Sequence, residues 1–139
     1  MEPKFDWIIS RPDTRPVGEH LIIELNGVDQ NKLDDLNFIE KTLKQAAEDS
    51  GAKIIFSKFH HFKPQGVTGV VGVEESHLSV HTWPQEGYAA VDIFLCTSES
   101  GKSIDPEKAL ATILESFQPK NKYVMKLDRG FDNNPQAAT

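Results

Sequence analysis

The chain has a single cysteine, Cys96, so no internal disulfide can staple it, and a reduced, cytoplasmic setting is the simplest expectation. It has no apolar run near the roughly 18 residues that a spanning helix needs and no signal-peptide core, so no membrane partner is expected. Basic excess is also missing. Fifteen Lys and Arg against 21 Asp and Glu leave a net charge of -6, which argues against nucleic acid, whose binders carry a basic face. A Gly-x-Ser-x-Gly elbow is absent, and with it the signature of an α/β-hydrolase triad. There is no internal repeat and no low-complexity segment. With 139 residues, 38% hydrophobic and 26% charged, the chain reads as one globular domain around one core.

The order of elements follows from punctuation and periodicity. Residues 1–16 hold Pro3, Pro12 and Pro16 around the apolar cluster Phe5, Trp7, Ile8 and Ile9, and read as an irregular N-terminal extension pinned to a single domain over 17–128. Residues 129–139 read as a polar tail. Leu21 to Leu25 is a short β-run, and the nearby His20 reads as structural. Asn31 is positioned to cap one helix carrying Leu33, Leu36, Ile39, Leu43, Ala46 and Ala47, with Ser50-Gly51 as its stop. Ala52 to His61 and Val67 to Val73 read as strands separated by a turn at 62–66, with Gly69 and Gly72 supplying backbone freedom near a reactive bond. Asp105-Pro106 starts a second helix with Leu110, Ile113, Leu114 and Phe117 on one stripe; Pro119 ends it, and Tyr123 to Leu127 makes a last strand. Two helices on one face of a mainly antiparallel β-sheet give an α+β two-layer sandwich.

The densest chemistry lies in Gly72 to Pro84 and Gly87 to Cys96. Leu78, Val80 and Thr82 share one strand face, while His77, Ser79, His81 and Trp83 share the other. In the next strand Ala89, Val91, Ile93 and Leu95 oppose Tyr88, Ala90, Asp92, Phe94 and Cys96. With the apolar faces on the helices, His81 and Cys96 project from the helix-free side, which places them in one site. Alternation alone aims Ser76 the other way, although a strand end or bulge can re-aim it. The same strand reading removes a zinc site: His77 and His81 are four apart, a ligand spacing on a helix only, and no motif adds a third ligand to them or to His60 and His61, so no metal is expected. A helix-free face bearing Trp83, Phe94 and Tyr88 is the kind of surface a second copy covers, so a homodimer is expected.

The run Glu74-Glu75-Ser76-His77-Leu78-Ser79-Val80-His81-Thr82-Trp83-Pro84, with Gly87 to Cys96, resembles the self-processing segment of the prokaryotic S-adenosylmethionine decarboxylases. The likeness starts near Val17, where Gly18-Glu19-His20 matches the family's opening Gly-x-His. It implies a proenzyme cut between Glu75 and Ser76 into chains 1–75 and 76–139. Ser76 attacks the Glu75 carbonyl, the amide becomes an ester, a base removes the Ser76 α-proton, and elimination and hydrolysis leave a pyruvoyl group at Ser76 as the cofactor. The family's processing histidine matches His81, and Thr68 stands where an assisting serine is usual. The pyruvoyl group forms a Schiff base with the substrate amine and acts as an electron sink. Cys96 matches the thiol that then protonates the substrate carbon. Phe62 aligns with an aromatic that stacks on the substrate adenine, and Trp83 and Glu74 lie in matching substrate-binding neighbourhoods.

Gln85 departs from the pattern. The family places there a glutamate that accepts hydrogen bonds from the ribose diol, and Glu86 is shifted by one position. The resemblance implies a small-molecule substrate, S-adenosylmethionine, a role in spermidine biosynthesis, and active sites at the interface of a homodimer. Gln85 leaves open a relative that decarboxylates L-ornithine or L-arginine. A third alternative is an uncleaved homologue with no enzymatic activity.

Overall fold

A computed structural model describes residues 5–10, 16–97 and 103–130. The strands are β1 (Trp7–Ile9), β2 (Gly18–Asn26), β3 (Ile54–His61), β4 (Val67–Val73), β5 (Ser76–Trp83), β6 (Tyr88–Cys96) and β7 (Asn121–Arg129). They form one sheet in the order β1-β7-β2-β6-β5-β4-β3, antiparallel except for the β1–β7 pair. The helices α2 (Leu36–Asp49) and α3 (Pro106–Phe117) pack on the sheet, and a single turn, α1 (Gln30–Leu33), precedes them. This is the expected α+β two-layer sandwich.

Alternation decides which face the helices cover. Leu21, Ile23 and Leu25 of β2, Leu78 and Val80 of β5, and Val91, Ile93 and Leu95 of β6 are buried against Ile39 and Leu43 of α2 and Leu110, Ile113 and Phe117 of α3. Removing these side chains from water is the main favourable term holding the layers together, at about 25 cal/mol per Å² of apolar area. Thr82 is the polar exception on this face. Its hydroxyl donates to the Leu33 carbonyl at 2.7 Å and accepts from the Val67 amide at 2.9 Å, which ties α1 to β4 and β5.

Four local expectations need correction. The first helix is two helices, because Asp34 and Asp35 interrupt it. Asp29, not Asn31, caps α1 by accepting from the Asn31 amide, and Asp35 caps α2 by accepting from the Phe38 amide. Asp34 faces away, accepting from the Gly66 amide at 2.9 Å and from His61 Nε2 at 2.8 Å, and these bonds hold its carboxyl below the ordinary carboxylate range.

The N-terminal cluster is not irregular. Trp7–Ile9 adds a parallel strand to β7, Asp6 brackets Val124 with two 2.8 Å bonds, and Phe5 packs on the core while Trp7, Ile8 and Ile9 stay exposed. The last strand extends to Arg129, so only 131–139 of the expected tail lie outside the described residues, as do Pro3 and Pro12 of the extension. Finally, Gly72 and Gly69 serve close approach, since the Phe56 and Phe59 rings of β3 lie where a Cβ on each would stand. Neither has the positive φ that would make backbone freedom the reason.

Candidate active site

The β4–β5 turn carries Glu74 and Glu75 into Ser76, and its geometry is unusual. Ser76 has φ +140°, outside the regions an L-residue with a side chain normally occupies. Holding it there costs about 1–3 kcal/mol, which the neighbouring ladders must supply. Those ladders are well formed: Ser76 pairs with Val73 on one side and Leu95 on the other. The Glu75 carbonyl, on the peptide bond just before Ser76, accepts from the Cys96 amide at 2.8 Å. The Glu75 side chain is buried, and its Oε1 accepts from the Lys53 amide at 3.0 Å. Glu74 is exposed, with Lys53 Nζ 3.6 Å from its carboxylate. The peptide bond between Glu75 and Ser76 therefore has its carbonyl held by a donor and is followed at once by a residue in a strained backbone conformation.

The unusual φ also re-aims Ser76. Its Oγ lies 3.3 Å from His77 Nδ1, on the helix-free face. His77 meets the Phe94 ring edge-on, and Phe94 in turn lies beside His20 and under the Arg129 guanidinium at 4.3 Å. His20 Nε2 donates to Asp92 at 2.9 Å, while Arg129 Nη1 donates to His20 Nδ1 at 3.4 Å. Burial first, and then the neighbouring His20, hold the His77 imidazole below its ordinary value; Asp92 pulls the other way, and Arg129 adds to the lowering. The bond from His20 holds the Asp92 carboxyl low. His77 is thus a neutral ring in contact with the serine hydroxyl.

His81 is elsewhere. It lies opposite Ala90, and Ser76 opposite Leu95, so they occupy the two ends of β5, roughly 16 Å apart at about 3.3 Å per residue. Cys96, at the Ser76 end, is roughly 20 Å from His81 by the same measure. The two share a face as expected, but within one chain they do not share a site. His81 instead pairs with Thr68, with Thr68 Oγ1 at 3.0 Å from His81 Nδ1.

Around that second pair is a cleft of about 360 Å³ lined by Phe62, Gln65, Thr68, His81, Trp83 and Gln85. Phe62 stands against His60 in an edge contact, and Trp83 stacks on Tyr88 at 5.2 Å. Tyr88 donates to Glu24 at 2.6 Å, and burial together with this carboxylate pushes its phenol up to about 12. Of the three aromatics expected on the helix-free face, only Trp83 is exposed, because Trp83 covers Tyr88 and Arg129 covers Phe94. No cluster of metal-ligating residues occurs among the described residues. No helix among them is long and apolar enough to cross a membrane.

From the sequence, His20 reads as structural, His77 is weighed only as a metal ligand, and Asp92 and Arg129 carry no role, so the four are not joined into a cluster. A signal for His77 did exist, because it adjoins Ser76; alternation hid it by sending the serine to the opposite face.

A seven-stranded, mainly antiparallel sheet with its helices on one face places the chain in the α+β two-layer class. The solved adenosylmethionine decarboxylase from Aquifex aeolicus superposes with a TM-score of 0.76 at 33% identity, over 86% of this chain and 96% of that one. S-adenosylmethionine decarboxylase proenzymes from Thermotoga maritima and Pyrococcus horikoshii are 44% and 42% identical, over 84% and 88% of this chain and 86% of each relative. Residues 19–130 match the family described as S-adenosylmethionine decarboxylase, and the chain belongs to that family.

Proposed function

We propose that the chain is the proenzyme of a pyruvoyl-dependent S-adenosylmethionine decarboxylase, a carboxy-lyase of spermidine biosynthesis that acts in the cytoplasm after cutting itself between Glu75 and Ser76. The observation that carries this reading is the Glu75–Ser76 bond itself. Its carbonyl is polarised by the Cys96 amide at 2.8 Å, and the residue supplying the nucleophile is held at φ +140°. A hydroxyl is a poor nucleophile and an amide a poor electrophile, so distortion and a positioned donor are what the reaction requires. Residue 76 also fits a keto group, because it heads β5 beside Cys96 on an open face. Once formed, that group supplies an electron sink for loss of carbon dioxide. In this reading Cys96 holds the proton delivered to the substrate carbon, and Phe62, Trp83, Gln85 and Glu74 hold the substrate.

The separation of Ser76 and His81 supports a homodimer. A second copy laid on the helix-free face, with a two-fold axis near Ser79 and Asp92 at mid-strand, carries the Thr68–His81 pair of one copy to the Ser76 end of the other. Ser79 and Asp92 are directly opposite each other, midway between the two ends. Each site then draws its serine and thiol from one protomer and its processing base, processing aid and cleft from the partner.

Gln85 favours a second reading, an L-ornithine or L-arginine decarboxylase, because it lines the cleft where the resemblance expects a carboxylate for the ribose. Denaturing mass spectrometry followed by carbon dioxide release from each of the three substrates tests both. A single uncut 15.6 kDa species would leave no cofactor and no decarboxylase of either kind.

A further inference from the structure

We infer that His77 is the catalytic base of the first processing step, taking the Ser76 hydroxyl proton within the same chain, while His81 serves the later elimination from the partner. The inference rests on the self-cleavage proposed above and divides its chemistry between two imidazoles. His77 Nδ1 is 3.3 Å from Ser76 Oγ, whereas His81 of the same chain sits at the far end of β5. With its proton on Nε2, the His77 ring offers Nδ1 as the acceptor.

The step balances without any further reagent. Ser76 Oγ bonds to the Glu75 carbonyl carbon as its proton passes to His77. The tetrahedral oxygen is held by the Cys96 amide already bonded to that carbonyl. The carbon–nitrogen bond then breaks, and His77 returns the proton to the departing nitrogen. The product is an ester at Glu75 with a free amine on residue 76.

The surroundings suit a ring that must stay unprotonated until it acts. From β6 it faces Phe94 and Asp92, from β2 His20, and from β7 Arg129; from β4 it faces Gly72, which carries no charge. Asp92 is the only anion among them, and it is engaged by His20 at 2.9 Å. Burial first, and then the neighbouring His20 and Arg129, hold the His77 imidazole below its ordinary value.

The test separates the two steps by trapping the ester. Hydroxylamine splits an ester but not an amide, so freshly translated chains are followed by denaturing mass spectrometry with and without it. Wild-type chains are expected to cut themselves, and His81→Ala chains to be cut only when hydroxylamine is added. His77→Asn and His77→Ala are expected to stay whole under both conditions, with ester formation slowed at least 100-fold, within the usual range for loss of a general base. Added imidazole should restore ester formation in His77→Ala.

Asparagine keeps a hydrogen-bond acceptor near the Nδ1 position without a basic nitrogen, so it separates proton transfer from packing. In His81→Ala chains, trapped ester should form without loss of rate down to below pH 6.5. Ester forming at the unaltered rate in His77→Asn, or a rate that falls with a midpoint at or above pH 6.5, overturns the role of His77 and leaves self-cleavage standing. Wild-type chains that neither cut themselves nor yield to hydroxylamine remove the proposed function, and this inference with it.

Discussion

The amide of Cys96 donates to the carbonyl of Glu75 at 2.8 Å, so the residue with the only thiol also grips the bond before Ser76 through its backbone. Main chain and side chain of one residue are thereby given separate tasks, and substitution can separate them.

Cys96→Ala keeps the backbone donor and removes only the sulfur. We expect it to cut between Glu75 and Ser76 at close to the normal rate, while decarboxylation falls by about 100-fold to 10,000-fold, the range for loss of a positioned proton donor. Mass spectrometry reads the first quantity and carbon dioxide release the second. Failure to cut would show that the thiol, and not the amide alone, takes part in processing.

Ser76→Ala and Ser76→Gly both lack a nucleophile and should both remain full length. They should differ in stability. Glycine accepts φ +140° without a steric penalty and alanine does not, so the glycine variant should be more stable to urea by about 1–3 kcal/mol, offset in part by the greater freedom of its unfolded chain. Equal midpoints for the two variants would mean that the turn is relaxed.

Gln85→Glu places a charged acceptor in the cleft. For a ribose diol, a hydrogen bond to a charged partner is stronger than one to a neutral amide by about 1 kcal/mol, so KM for S-adenosylmethionine should fall about fivefold with kcat little changed. An unchanged KM would point away from a nucleoside in this cleft and towards L-ornithine or L-arginine.

Tyr88 makes alkaline stability measurable. Its phenol is pushed up to about 12, above its value near 10 in an unfolded chain, so the folded state keeps a proton that the unfolded state loses. The contribution is fully present below pH 10 and is lost as pH rises from 10 to 12. Denaturation midpoints should drop across that window in Ser76→Ala protein and drop less when Tyr88→Phe is added. An equal drop in both would place the alkaline sensitivity elsewhere.

Much of this architecture was legible in the sequence because alternation and caps are local signals. Leu78, Val80 and Thr82 declared the buried face of β5, and Asp105-Pro106 the start of α3. The break between α1 and α2 was not legible, since Asp34 is recruited by Gly66, 32 residues away. Nor was the aim of Ser76, which depends on one backbone angle.

The separation of His81 from Cys96 is a different kind of miss. Alternation gives the face of a strand but not the position along it. Counting across the turn from Trp83 to Tyr88 would have set His81 opposite Ala90 and revealed the distance.

The strand order governs the fate of the two fragments once the chain is cut after Glu75. The first fragment would own β1, β2, β4 and β3, and the second β7, β6 and β5, so that along the sheet they alternate as first, second, first, second, second, first, first. Four ladders would stitch the pieces together, and neither could be withdrawn without dismantling the whole. Scission would therefore leave shape and mass in native solution untouched, while turning any later refolding into a reunion of two molecules that depends on their concentration.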